Sequence, residues 1–216
     1  TDTVERVRGR VAHIVDLIRT QKSFDRQSMT SKLIDLRQSI ADAVNVLAES
    51  CATRGIDVAI DCARAPRELR IQENRFHQML VNLVKNAIEA IDALAAAGGA
   101  ARRDPPRIRI ACYPRDEFLV LDVIDNGIGI GEQRHRLIFT AGYSTKESSS
   151  GLGLHSAANF VIGSGGRIEA LSDGHGAGTT IRVMLRRAAP AEQRAQAEQA
   201  GASAAAGQRF APPASA

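Results

Sequence analysis

Apolar residues at Val4, Val7, Val11, Ile14 and Ile18 recur in alternating steps of three and four, the seam of an amphipathic helix. Arg6, Arg8, Arg10, Asp16 and Arg19 fall off that seam, so the helix can lie on its own domain or pair with a second copy. The pattern lapses over 21–31, which reads as a turn or linker. Asp35 followed by Gln38 resembles a capping pair and opens a helix from about residue 36, with Ile40, Val44 and Leu47 on one face and Gly55 as its stop. Residues 56–60 alternate apolar and polar, as a half-buried strand does. The longest helix is expected over 73–97, with Phe76, Leu80, Leu83, Ala87, Ile91 and Leu94 along its apolar side and Gly98 and Gly99 ending it. Gln78, Asn82 and Asn86 recur every four residues on another face of the same helix.

Downstream, strands are expected over 107–112 and 118–124, joined by a turn around 114–117. Residues 132–150 offer few apolar anchors and read as a mobile lid. A helix near Leu152 should stop at Gly165 and Gly166, followed by strands over 167–171 and 179–185 with a loop at 173–178 between them. Strands and helices do not alternate strictly, so the fold class is α+β, a two-layer α/β sandwich with a mixed sheet. Three parts follow: a helix and linker over 1–30, a globular domain over 31–187, and a tail over 188–216. The tail is rich in Ala, Gln, Gly and Pro and cannot bury enough apolar surface to order itself.

Composition narrows the function. A content of 44% hydrophobic residues suits one good core, and no run is long enough to span a membrane. The chain opens on Thr1 rather than methionine, which reads as a piece of a longer protein with room for a membrane anchor upstream. Cys51, Cys62 and Cys112 are scattered and odd in number, fitting a reducing, cytoplasmic setting rather than a disulfide framework or a zinc site. The net charge of +4 would tolerate nucleic acid, but dispersed arginines and 4% aromatics supply little base stacking, so no nucleic acid partner is expected.

Three elements carry chemistry. An amide oxygen is a hard, neutral ligand suited to magnesium, so Asn86 is the candidate metal ligand, with Asn82 one turn earlier orienting a phosphate or a metal-bound water. Asp125, at the end of an apolar strand and before Gly127, Gly129 and Gly131, can accept the exocyclic amino proton of adenine while the glycines let backbone approach a flat ligand. Gly151, Leu152, Gly153 and Leu154 open a helix, whose free N–H groups suit phosphate. Lys146 is placed to reach the terminal phosphates. Bland readings stand beside each: a solvated asparagine face, a turn aspartate, a glycine hinge and a solvated lysine. A dinucleotide fold lacks support, because no strand-glycine-helix unit is followed by an acidic residue about twenty positions on.

In order, Asn82-Leu83-Val84-Lys85-Asn86-Ala87, Asp125-Asn126-Gly127-Ile128-Gly129-Ile130, residues 139–146, Gly151-Leu152-Gly153-Leu154 and Gly178-Thr179 resemble the N, G1, F and G2 boxes of sensor histidine kinases. Those kinases share a superfamily with gyrase and a heat-shock chaperone, and their nucleotide-binding core is called the Bergerat fold. The resemblance covers about 31–187. It implies ATP and Mg2+ as cofactors, Asp125 on adenine, Asn86 on magnesium, the amides from Gly151 through His155 on phosphates, and Thr179 in the water network beside adenine. Gly127, Gly129, Ile130 and Lys146 complete the implied binding set, with Asn82 and Lys146 as catalytic candidates. The first helix then resembles the second half of a dimerisation hairpin, implying a homodimer, and the implied partner is a response regulator.

The departures from the family pattern matter. No histidine among His13, His77, His135, His155 and His175 is followed by the family's acidic residue and proline, so the phosphoacceptor is expected outside this chain. Glu89 stands where many relatives carry a basic residue. Hydrolytic relatives place a glutamate at the position of Asn82, and an amide cannot act as a general base at neutral pH, which favours transfer over hydrolysis. A degenerate nucleotide sensor without kinase activity is the other alternative.

Overall fold

Asp35 decides where the first helix begins. In the computed structural model, which describes residues 31–98, 104–143 and 151–187, its Oδ1 accepts the Arg37 and Gln38 N–H groups at 3.1 Å each. Two otherwise unpaired donors of α1 (Leu36–Asn45) are satisfied in this way. The expected helix over 1–30, Lys146 and the tail over 188–216 lie outside the described residues. The helix expected to run on to Gly55 is instead broken. After α1 comes a turn at Val46 and Leu47, then α2 (Ala48–Ala52), and only then Gly55 at φ 62°. The break falls at Asn45 and Val46, two weak helix formers, and Val46 is left 65% exposed.

A strand pair that the hydrophobic pattern did not reveal precedes and follows these helices. β1 (Lys32–Asp35) runs antiparallel to β3 (Glu68–Ile71), from Lys32 opposite Ile71 to Asp35 opposite Glu68. Ile34, Leu69 and Ile71 are buried by it, while Leu33 faces out. Between them, β2 (Asp57–Asp61) is not the half-buried strand its alternation suggests. It is the edge of the sheet, paired on one side only, and Ile60 is 42% exposed.

α3 (Glu73–Ala96) is the axis of the helix layer. Phe76, Leu80, Leu83, Ala87 and Ile91 are buried as expected, joined by Met79, Val84 and Ile88, while Leu94 is only partly covered. Gly98 follows its end at φ 72°. The main sheet contains β4 (Arg107–Arg115), β5 (Phe118–Asp125), β6 (Arg167–Leu171) and β7 (Thr179–Arg186) in the order β2-β4-β5-β7-β6. β2 and β4 are parallel and the other pairs antiparallel, so the architecture is the expected α+β sandwich with a mixed sheet. Pro114 lies inside β4 rather than in the turn. Pairing with β2 stops at Asp61 opposite Ala111, so beyond that point β4 has a free side where a missing N–H is tolerated. The turn itself is Asp116 and Glu117, with Asp116 at φ 52°.

Alternation along the strands sets the two faces. Ile108, Ile110, Leu119, Leu121, Val123, Ile181, Val183 and Leu185 are buried in one core with α3. α4 (Gly153–Gly163) completes the helix layer, and Gly165 follows it at φ 71°. On the opposite face of β5, Asp122 is buried and held in a fork by Arg182, whose Nε and Nη2 donate to its Oδ1 and Oδ2 at 2.8 and 2.9 Å. The Tyr113 hydroxyl donates to Oδ2 at 3.0 Å. All three cysteines are free and buried.

Removing one partner of this fork strands a buried charge. Arg182→Ala should therefore lower unfolding free energy by about 2–3 kcal/mol. Glu169→Ala, which removes only an exposed carboxylate 3.8 Å from Arg182, should change it by less than about 0.5 kcal/mol. Urea unfolding of the two variants checks the contrast.

Candidate nucleotide site

Asp125 is the last residue of the row Leu119, Leu121, Val123, Asp125, so strand alternation places a carboxylate on the helix-facing side of the sheet. Its Oδ1 accepts the Gly127 N–H at 2.8 Å, and the backbone N–H of Thr179, its register partner on β7, also donates to the carboxylate. Thr179 is itself buried. Burial outweighs both hydrogen bonds and pushes the Asp125 carboxyl up to about 6.

The loop after Asp125 is stitched to three elements. Asn126 Oδ1 accepts the Arg107 N–H at 2.9 Å and its Nδ2 donates to the Pro105 carbonyl at 2.8 Å, fixing the loop to the start of β4. The Ile128 N–H donates to the Ala90 carbonyl at 2.9 Å, fixing it to α3. The Ile130 N–H donates to Ser172 Oγ at 3.0 Å, and that hydroxyl donates to the Gly178 carbonyl at 2.6 Å, fixing it to the loop between β6 and β7. The sequence reading assigns the glycines to a ligand. Here a Cβ at Gly127 would lie 2.5 Å from the Ala90 carbonyl carbon, and one at Gly129 would collide with the Gly174 carbonyl, so both glycines serve the approach of backbone to backbone. Gly131 is uncrowded.

Ala90 continues the row of Asn82 and Asn86 by one more turn of α3. Asn82 Nδ2 donates to the Gly153 carbonyl at 3.2 Å, and Asn86 Nδ2 donates to the Asn82 carbonyl at 2.7 Å. Because both acceptors are carbonyls, the side-chain orientations follow: each amide nitrogen is engaged, and each Oδ1 is left outside these bonds. At the far end of the row, α4 begins after Leu152, which supplies no side-chain cap. The Ser156 N–H is bonded to the Leu152 carbonyl at 2.8 Å, and the N–H groups of Gly153, Leu154 and His155 precede it as first-turn donors with no helical partner and no acceptor among the described residues. Leu152 is half exposed, whereas Leu154 packs on the core. The connections Gly153, Asn82, Asn86, Ala90, Ile128 and Asp125 thus form one continuous framework.

The stem between the two glycine boxes differs from a loop with few anchors. It contains two 3₁₀ turns, Glu132–Arg134 and Leu137–Phe139, and Ile138 and Phe139 pack against the core. His135 Nε2 lies 3.2 Å from the Ile130 carbonyl and His155 Nδ1 lies 3.1 Å from the Phe139 carbonyl. Sequence reasoning missed Ser172 and the His155 ring. Ser172 carries only a turn signal, and the His155 ring stands in a motif where the backbone alone had drawn notice.

The arrangement of layers is that of histidine kinase catalytic domains. The nucleotide-free catalytic domain of histidine kinase ThkA superposes with a TM-score of 0.61 at 21% identity, covering 74% of this chain and 97% of that one. Full-length ShkA in complex with AMPPNP gives 0.62 at 19% identity, covering 74% of this chain and 32% of that one. Residues 71–189 match the family described as "Histidine kinase-, DNA gyrase B-, and HSP90-like ATPase", and the chain belongs to that family. Among curated proteins it is 30% identical over 191 residues to nitrogen regulation protein NtrY of Azorhizobium caulinodans, covering 88% of this chain and 24% of that protein. It is likewise 30% identical over 194 residues to two-component sensor PprA of Pseudomonas aeruginosa, covering 88% of this chain and 20% of that one. The chain therefore spans a quarter or less of the length of these relatives.

The raised Asp125 carboxyl fixes the sign of a stability change. Its favourable contribution is complete when it is protonated, below about pH 4, and is lost as pH rises through about 6. Asp125→Asn, which removes the buried charge, should be more stable than wild type at pH 7.5 by about 1–3 kcal/mol. That advantage should shrink towards zero at pH 4.5, as urea midpoints at the two pH values would show.

Proposed function

We propose that this chain is the ATP-binding kinase core of a two-component sensor histidine kinase, transferring the γ-phosphoryl group of Mg-ATP to a histidine that lies outside it. The observation that supports this most strongly is the framework running from Asp125 through Ala90, Asn86 and Asn82 to Gly153, because it holds relative to one another the three groups that would serve as adenine acceptor, cation ligand and phosphate donors. Asp125 would accept from the adenine amino group, with Thr179 in the adjoining water network and Gly127, Gly129 and Ile130 shaping the wall. The N–H groups of the first turn of α4, from Gly151 and Leu152 through His155, would hold phosphate oxygens. Lys146 would reach the terminal phosphate.

Magnesium fits the donor set at Asn86. Its Nδ2 is held by the Asn82 carbonyl, leaving Oδ1 as a neutral oxygen ligand. Among the described residues no group of three or more His, Cys, Asp or Glu could hold a metal, so the remaining ligands would be phosphate oxygens and water. Bound there, the ion would neutralise charge on the transferring group, and the residues around it would act by positioning. A gyrase-type hydrolase needs a carboxylate to activate water. Asn82 has an amide whose nitrogen is committed to Gly153, and it takes no proton at neutral pH.

The reading extends to the whole protein. A response regulator would receive the phosphoryl group, and a homodimer would form through the helix over 1–30. Residues 188–216 would be a tail, and the core over 31–187 would work on the cytoplasmic side, where ATP is. Among the described residues no helix is long and apolar enough to cross a membrane.

Calorimetric titration with ATP, with and without magnesium, tests the assignments. Asp125→Asn should weaken ATP at least about tenfold, because the Gly127 and Thr179 N–H groups and the adenine amino group would all donate to this side chain, and asparagine replaces one of its two acceptor oxygens with a donor. Asn86→Ala should bind ATP in magnesium no better than wild type does in EDTA. ATP binding by Asp125→Asn equal to wild type would overturn the adenine assignment, and full magnesium dependence in Asn86→Ala would overturn the metal assignment.

A further inference from the structure

The His155 side chain does something the backbone reading of its motif does not use. Its Nδ1 faces the Phe139 carbonyl at 3.1 Å, and a carbonyl only accepts, so Nδ1 carries the proton. Its Nε2 faces Asn159 Nδ2 at 3.0 Å, one helical turn further along α4. With the proton on Nδ1, Nε2 of the neutral ring accepts from that amide, and the i,i+4 pair locks the ring plane. The imidazole is thus a fixed neutral donor aimed out of α4 at the end of the second 3₁₀ turn.

What it holds is the first turn of α4. Phe139 is partly buried and packs its side chain against the core, which holds its carbonyl in place. On the other side of the turn, Asn82 holds the Gly153 carbonyl from α3. A third contact lies just before the helix: a Cβ at Gly151 would be 2.6 Å from Gly142 and 2.7 Å from the Tyr143 carbonyl, at a φ of 63° open mainly to glycine. The helix end whose N-cap residue supplies no side-chain cap is therefore clamped by Asn82 from α3 and, through the His155 ring, by the Phe139 carbonyl of the stem.

We propose that the His155 ring is a positioning residue that fixes the uncapped first turn of α4 between Asn82 and the Phe139 carbonyl, so that its N–H groups meet the phosphates of a nucleotide in register. This rests on the reading of the site as an ATP site. The donor required is at Nδ1. Asparagine presents its Nδ2 close to where imidazole carries Nδ1, whereas glutamine presents its amide nearer Nε2. Ordering by chemistry follows: His155→Asn should substitute, and His155→Ala and His155→Gln should not.

The test measures ATP and adenosine binding by calorimetry for wild type and these three variants in the full chain, with Asp125→Asn alongside. His155→Ala and His155→Gln should weaken ATP about fivefold to tenfold while leaving adenosine within about twofold of wild type, and His155→Asn should recover most of the ATP loss. A ring that merely supports the fold would weaken adenosine as much as ATP. Equal loss for both ligands, unchanged ATP binding in His155→Ala, or recovery by glutamine rather than asparagine would each overturn the proposal. Should His155→Ala not fold, the asparagine and glutamine variants carry the same comparison. Failure of wild type to bind ATP would instead overturn the nucleotide reading itself, and Asp125→Asn losing both ligands would show that reading to hold while the His155 variants are judged.

Discussion

The site depends on how closely the Gly127 and Ile128 backbone can approach Ala90. A Cβ at residue 127 would lie 2.5 Å from the Ala90 carbonyl carbon, and the Ile128 N–H reaches the Ala90 carbonyl at 2.9 Å. This contact ties the end of the central strand to the helix that carries the asparagines. Its physical basis is simple: α3 uses one face for the core and a second, repeating every four residues, for Asn82, Asn86 and Ala90. A side chain at residue 127 would push the loop from the helix and separate Asp125 from the asparagine row.

Asp125 lies at the other end of that contact. Burial disfavours its charge more than its two backbone hydrogen bonds favour it, so the group is held where folding alone would not place it. Leu119, Leu121 and Val123 show what the same row contains elsewhere. A carboxylate that weakens the fold yet is oriented by two N–H groups is characteristic of a residue kept for recognition. Asp122, one residue before Val123, offers the contrast. It faces the opposite side of the sheet and is fully matched by Arg182 and Tyr113, and nothing about it suggests a ligand.

Periodicity made the larger elements legible. α3 keeps a consistent apolar spacing from Phe76 to Leu94, and β4 and β7 alternate cleanly, so their faces and the α+β class could be read directly. Short elements escaped. β1 and β3 are four residues each, too few for alternation to stand out, and they exist because each pairs with the other. The edge position of β2 and the break at Val46 depend on neighbours that a linear pattern does not contain. At the site, the row of Asn82 and Asn86, the uncapped start of α4 and the strand-end position of Asp125 were legible from spacing. The glycines were legible as special but not for their reason, since what crowds Gly127 and Gly129 is protein from distant segments. Ser172 and the His155 ring act across gaps of 42 and 16 residues, which no local motif encodes.

Adenine selection is the claim on which the account turns, because the framework has its meaning only if Asp125 reads the exocyclic amino group. Guanine presents a carbonyl oxygen there, and two acceptors facing each other in a buried site exclude binding. Competition of ATP and GTP for the full chain in magnesium measures this directly. Binding of ATP with GTP weaker by more than about a hundredfold is the predicted result. Equal affinities for the two nucleotides would contradict it.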